Sequence, residues 1–161
     1  HTIGRRQRQM CIRDSTWWKR TGPAPVMMTL NASKRDVCRV RREVTSSPLQ
    51  AFVLLNGPQF MEASRVMAAK LLEAHPDSPR SLVKEAFRSF TSRLPREKEL
   101  KILLALHEEQ VAHYNANPEQ AKGFLAIGAS PEAKGLPPHK VAATAILVNT
   151  IMNLDEAVSK R

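Results

Sequence analysis

The sequence predicts an all-α fold: a compact bundle of about six helices with an irregular, extended flap on its N-terminal side. Three observations carry this. Proline opens segment after segment (Ser47-Pro48, Gly57-Pro58, Ser78-Pro79, Leu94-Pro95, Asn117-Pro118, Pro137-Pro138), and a helix tolerates proline only in its first turn. Between these starts, apolar residues recur at three- and four-residue steps. The last segment, from Pro138, is apolar almost all round, as a helix is when neighbours surround it.

Taken in order, residues 16–47 read as irregular, because Gly22, Pro23 and Pro25 forbid a continuous helix. Short extended pieces are expected at Trp17–Arg20 and Val26–Leu30, and the partial alternation of Val37–Val44 suggests a strand-like segment. Trp17, Trp18, Met27 and Leu30 are expected to lie over the helices. Ser47 caps a first helix, Pro48–Asn56, stopped by Asn56-Gly57. The second, Pro58–Ala74, sets Phe60, Ala63, Met67 and Leu71 on one face. The third, Pro79–Arg93, buries Leu82, Val83, Ala86, Phe87 and Phe90. The fourth, Pro95–Asn115, is striped by Leu100, Leu103, Leu104, His107, Val111 and Tyr114. A short fifth, Pro118–Ile127, closes at Gly128, and the loop Ala129–Leu136 leads to the sixth, Pro138–Leu154. That helix is expected at the centre, packed against the first.

The net charge of +10 first suggests a nucleic-acid partner, but its distribution argues otherwise. Residues 1–15 hold Arg5, Arg6, Arg8 and Arg13 against Asp14, and residues 16–45 hold seven Lys or Arg against Asp36 and Glu43. The helical remainder, with 14 basic and 12 acidic groups, is nearly balanced. The stretch Arg5–Ser15, RRQRQMCIRDS, resembles a translated adapter from sequencing-library preparation. Residues 1–15 are therefore expected to stand outside the fold without structure of their own. Residues 16–47 form the flap and 48–161 the bundle, in one domain, and the chain reads as a fragment lacking its true N-terminus.

Candidate chemistry is sparse. Cys11 lies in the adapter-like stretch, and Cys38 alone makes neither a disulfide framework nor a metal site. His107 and His113 share a helix but face different ways, and no H-x-x-x-H, C-x-x-C or C-x-x-C-H pattern occurs. No catalytic, metal-binding or cofactor-binding residue is assigned. Thr45, Ser46 and Ser47 read as helix caps, and Glu97, Glu99, Glu108 and Glu109 as solvated surface. The basic run Lys34, Arg35, Arg39, Arg41, Arg42 is interrupted by Asp36 and Glu43 and lies in no nucleic-acid motif, which makes nucleic acid the weakest reading. Asp155-Glu156 directly follow the buried helix, and Arg41 or Arg42 could pair with them, although the sequence does not show such a pairing. No apolar run reaches the roughly 18 residues of a membrane span; Val141–Met152 is broken by Thr144, Asn149 and Thr150.

One block is more specific. Trp18-Lys19-Arg20-Thr21, Pro23-x-Pro25-x-Met27 and Arg35-Asp36-Val37-Cys38 lead into Val40-Arg41-Arg42-Glu43. Thr45, Pro48-Leu49-Gln50-Ala51, Leu54-Leu55-Asn56, Pro58-Gln59-Phe60 and Glu62-Ala63 follow, with Asn153-Leu154-Asp155-Glu156 near the end. This resembles the C-terminal domain, of unknown function, of large planctomycete-type cytochrome-c-associated proteins, over about Thr16 to Arg161. Gly57 departs from the aspartate usual after Leu-Leu-Asn, and Ser46-Ser47 from a usual Asn-Thr.

The resemblance implies an exported parent, periplasmic or at the cell surface. Its partner domains, including a haem-binding cytochrome-c-like module, would lie upstream, so that any haem belongs there and not to this fragment. The expectation is a C-terminal helical module that is not catalytic alone. The alternative is part of the active site of a cell-surface hydrolase or redox enzyme. Either way Arg41, Arg42, Asn56 and Asp155 are the candidate inter-domain or polar-site residues.

Overall fold

The computed structural model describes residues 24–32, 45, 47–131, 133 and 135–158. Among these, 76% are helical and none is in a strand. The expected pieces at Trp17–Arg20 and Val37–Val44, and the residues Trp18 and Cys38, lie outside the described residues. The chain divides into two units, His1–Val53 and Leu54–Arg161.

In the first unit, Val26–Leu30 is not extended. Pro25–Thr29 forms a short helix, α1, which proline can open at its first position. The Thr29 hydroxyl donates back to the Pro25 carbonyl at 3.0 Å, and Asn31 ends the turn at φ 55°. The next helix, α2 (Pro48–Asn56), begins as expected and runs past Val53 into the second unit. Ser47 Oγ accepts from the Gln50 N–H at 3.3 Å while Gln50 Oε1 accepts from the Ser47 N–H at 3.0 Å, a reciprocal cap. Gln50 Nε2 also donates to the Thr29 carbonyl at 2.9 Å and to Thr45 Oγ1 at 3.0 Å, tying the end of α1 to the first turn of α2.

The second unit holds α3 (Pro58–Ala74), α4 (Pro79–Thr91), α5 (Glu97–Ala116), α6 (Pro118–Leu125), α7 (Pro138–Met152) and α8 (Asp155–Val158). The centre is α7, with nine buried residues from Val141 to Ile151. Its main partners are α3 and α5, with α6, α4 and α8 completing the enclosure. Leu55, in the part of α2 that falls in this unit, accepts a hydrogen bond from Asn149 Nδ2 at 2.8 Å. Leu71, Leu82, Phe87, Leu100, Leu147 and Ile151 bring four helices into one apolar core.

Three boundaries move for local reasons. α4 stops at Thr91 because Ser92 takes the left-handed conformation, φ 60°, and its N–H returns to the Arg88 carbonyl at 2.8 Å. α5 starts at Glu97, not at Pro95, because Glu99 reaches back to accept the Arg96 N–H at 2.7 Å. α7 ends at Met152, where the Asn153 amide donates to the Asn149 carbonyl at 2.8 Å. The α3 stripe is also rotated from the expected one. Ala63 is exposed, while Ser64, Arg65, Ala68, Leu71 and Leu72 are buried. Two polar residues face inward, and their partners differ. The Ser64 hydroxyl is satisfied within the helix, donating to the Met61 carbonyl at 2.8 Å. Arg65 pairs both terminal nitrogens with a distant loop and leaves Nε without a hydrogen bond among the described residues.

Candidate functional site

Of the four predicted site residues, Arg41 and Arg42 lie outside the described residues. Asn56 is exposed at the last position of α2, and Asp155 is exposed at the first position of α8. Their neighbourhoods are joined by Asn149, which is 5% exposed on α7. Its Nδ2 donates to the Leu55 carbonyl beside Asn56, and its Oδ1 accepts from Asn153 Nδ2 at 3.1 Å, two residues before Asp155. Sequence reasoning treated Asn149 only as a break in an apolar run.

Asp155 borders a concavity of about 760 Å³ at the end of the bundle. Its floor is apolar, from Phe87, Ile102, Leu103 and Leu154, and Arg93, Arg96, Glu99 and Glu156 form its charged wall. Arg93, turned by the left-handed Ser92, organises that wall. Its Nη1 and Nη2 each donate to a Glu99 oxygen at 2.9 Å. Its Nε and Nη2 donate to the two Glu156 oxygens at 2.8 and 2.7 Å. Nη1 also meets the Leu94 carbonyl at 3.2 Å, and the guanidinium lies 4.7 Å over the Phe87 ring. All five N–H donors are thus in use.

Glu99 first, then Glu156, hold the Arg93 proton more tightly than usual. Arg93 in turn, followed by the Arg96 N–H, lowers the Glu99 carboxyl to about 2. A carboxylate ionised at every physiological pH cannot act as a general acid, so this arrangement is a clamp on the C-terminal turn. Glu99 is not the solvated surface group the sequence suggested, because Arg93 returns to it across the α4–α5 turn.

A pH dependence follows. A carboxyl whose folded pKa is depressed stabilises the fold fully above its unfolded value of 4.5, and the contribution is lost as pH falls toward about 2. In urea unfolding, the midpoint of the natural chain is expected to fall across that window. Arg93→Gln is expected to flatten this fall. Parallel acid profiles for the two chains would contradict the clamp.

A second polar cluster, unforeseen from sequence, fixes the loop after α6. Glu62 Oε1 accepts from the Ser130 N–H at 2.7 Å and from the Ser130 hydroxyl. Arg65, 3% exposed, donates from Nη2 to the Ser130 carbonyl at 2.8 Å and from Nη1 to the Pro131 carbonyl at 3.2 Å. The Ser130 hydroxyl is the main reason that the Glu62 carboxyl titrates below its ordinary range. The only signal in the sequence was the spacing Glu62-x-x-Arg65, which puts both on one helix face. Gly128 lets the loop approach: its φ is +105°, and a Cβ there would lie 2.8 Å from Glu62 side-chain atoms. Gly128→Ala is expected to cost about 1–3 kcal/mol through strain alone. Urea denaturation tests this, and an unchanged midpoint would show that the loop does not need the positive φ.

Among the described residues no group of three His, Cys, Asp or Glu is gathered to hold a metal ion. No helix among them is long and apolar enough to cross a membrane.

Comparison with known families gives a match. The model of PSD1, described as a protein of unknown function (DUF1553), matches residues 4–107. The matched span takes in Arg5–Ser15 and ends within α5, so Asn153–Glu156, cited for the resemblance, lies beyond it. No curated protein matches the chain, and no solved structure matches it.

Proposed function

This chain belongs to the PSD1 family of proteins of unknown function (DUF1553), and we propose that it works as a helical module within a longer exported protein. In this reading it is not catalytic alone, its partners are upstream domains of the same polypeptide, and one of those carries a cytochrome-c-like haem module. The observation that best supports it is α2. This helix, PLQAFVLLN, is rich in large apolar side chains yet has no buried residue. Leu49 is 59% and Leu55 43% exposed. Apolar faces of this kind mark surfaces that another protein part covers. The clamp at Arg93 agrees with a structural role, since its charged groups are committed to one another.

The test compares the 161-residue chain with its full-length parent. Leu49→Glu is expected to lower the melting temperature of the parent and to leave that of the isolated chain unchanged. A parent that tolerates the glutamate would refute the docking role of α2. A purified parent without haem absorption would refute the cytochrome association separately.

A further inference from the structure

A third polar feature belongs neither to the clamp nor to the loop cluster. His107 on α5 is 7% exposed, and its Nε2 lies 3.1 Å from Thr144 Oγ1 on α7. Thr91 and Thr150 send their hydroxyl protons to the carbonyl four residues back, at 2.8 and 2.9 Å. Thr144, fully buried, has His107 as its hydrogen-bond partner among the described residues. A buried hydroxyl proton without an acceptor is costly, so Thr144 donates and Nε2 accepts. The ring proton then sits on Nδ1, which makes no hydrogen bond among the described residues. Burial lowers the His107 pKa and keeps the ring neutral, so that this tautomer persists at neutral pH.

His107 lines a pocket of about 330 Å³, within the range of small-molecule sites. Leu82 and Val111 supply apolar wall, and His75, Asn115 and Lys140 supply polar groups. Pro76 and Pro79, on either side of the Ser78 cap, add further apolar wall. Against the polar groups stands one acid, Glu108. We infer that this pocket binds a small organic carboxylate, its apolar body against Leu82 and Val111 and its oxygens toward His107 Nδ1–H and Lys140. Neither the family match nor the proposed module role assigns such a site.

Phenylacetate is a suitable probe, titrated into the full chain and followed by imidazole and amide NMR. In the unliganded chain, Nδ1 is expected to be protonated and Nε2 not. Phenylacetate is expected to give saturable shifts at His107 and Val111. Phenylacetamide, which lacks the charge, and acetate, which lacks the apolar body, are each expected to bind about tenfold more weakly or worse. Ala112→Phe, at an exposed position lining the pocket, is expected to abolish the phenylacetate shifts. A proton on Nε2, the absence of saturable shifts, or equal binding of phenylacetamide would each overturn the assignment, and all three are read on the unaltered chain.

Discussion

Leu147→Ala is expected to destabilise the chain by about 2–5 kcal/mol, the largest effect among the substitutions considered. Leu147 is fully buried on α7. Around it, Ala142, Ala143 and Ala145 are also fully buried. Ala142 and Ala143 pack against Tyr114 and Ala121, and such small residues leave few flexible side chains along α7 to fill a void. The site therefore collapses poorly, and the cavity term adds to the lost transfer free energy. Ile146, one residue earlier, is only partly buried, and Ile146→Ala serves as the control. Urea midpoints should separate the two clearly. Equal losses would mean that α7 is not enclosed, and the account of the core would fail.

Arg65→Ala is expected to cost about 2–4 kcal/mol, because it strips two loop carbonyls of their donor and leaves the Glu62 carboxylate without its nearest compensating charge. The guanidinium reaches the Ser130 and Pro131 carbonyls with two separate nitrogens. Lysine cannot reproduce that fork, so Arg65→Lys should recover little. Hydrogen exchange at the Ser130 amide, now held by Glu62 at 2.7 Å, should accelerate in both variants. An Arg65→Lys chain as stable as the natural one would reduce the residue to a packing role.

The helix starts were legible because each is a local event. Ser47-Pro48 and Ser78-Pro79 pair an accepting side chain with a residue that lacks the N–H a first turn cannot satisfy, and both caps form. The start of α5 was misplaced at Pro95 because a side chain three residues on, Glu99, decides it. The same carboxylate carries the Arg93 clamp, which joins the end of α4 to α8 across 63 residues of sequence. Nothing at Arg93 or Glu156 alone announces the other. The α1 helix was missed because two prolines and a glycine argue against a long helix, and do not exclude five residues beginning on Pro25.

The candidate polar site was only half legible. Asp155 borders the C-terminal concavity, and Arg93 and Glu99, which shape its charged wall, were not among the predicted site residues. His107 was read correctly as part of a buried stripe, and the role of its second nitrogen depends on Thr144, 37 residues away.

By itself, the order of residues determined the helical class, most helix starts and the central place of α7, since capping, proline geometry and apolar periodicity act over a few residues. Only the tertiary structure decided which way α3 turns, which carboxylates are paired, and which hydroxyl meets the buried imidazole. Those outcomes depend on which distant groups approach within about 3 Å, a distance that no local pattern encodes.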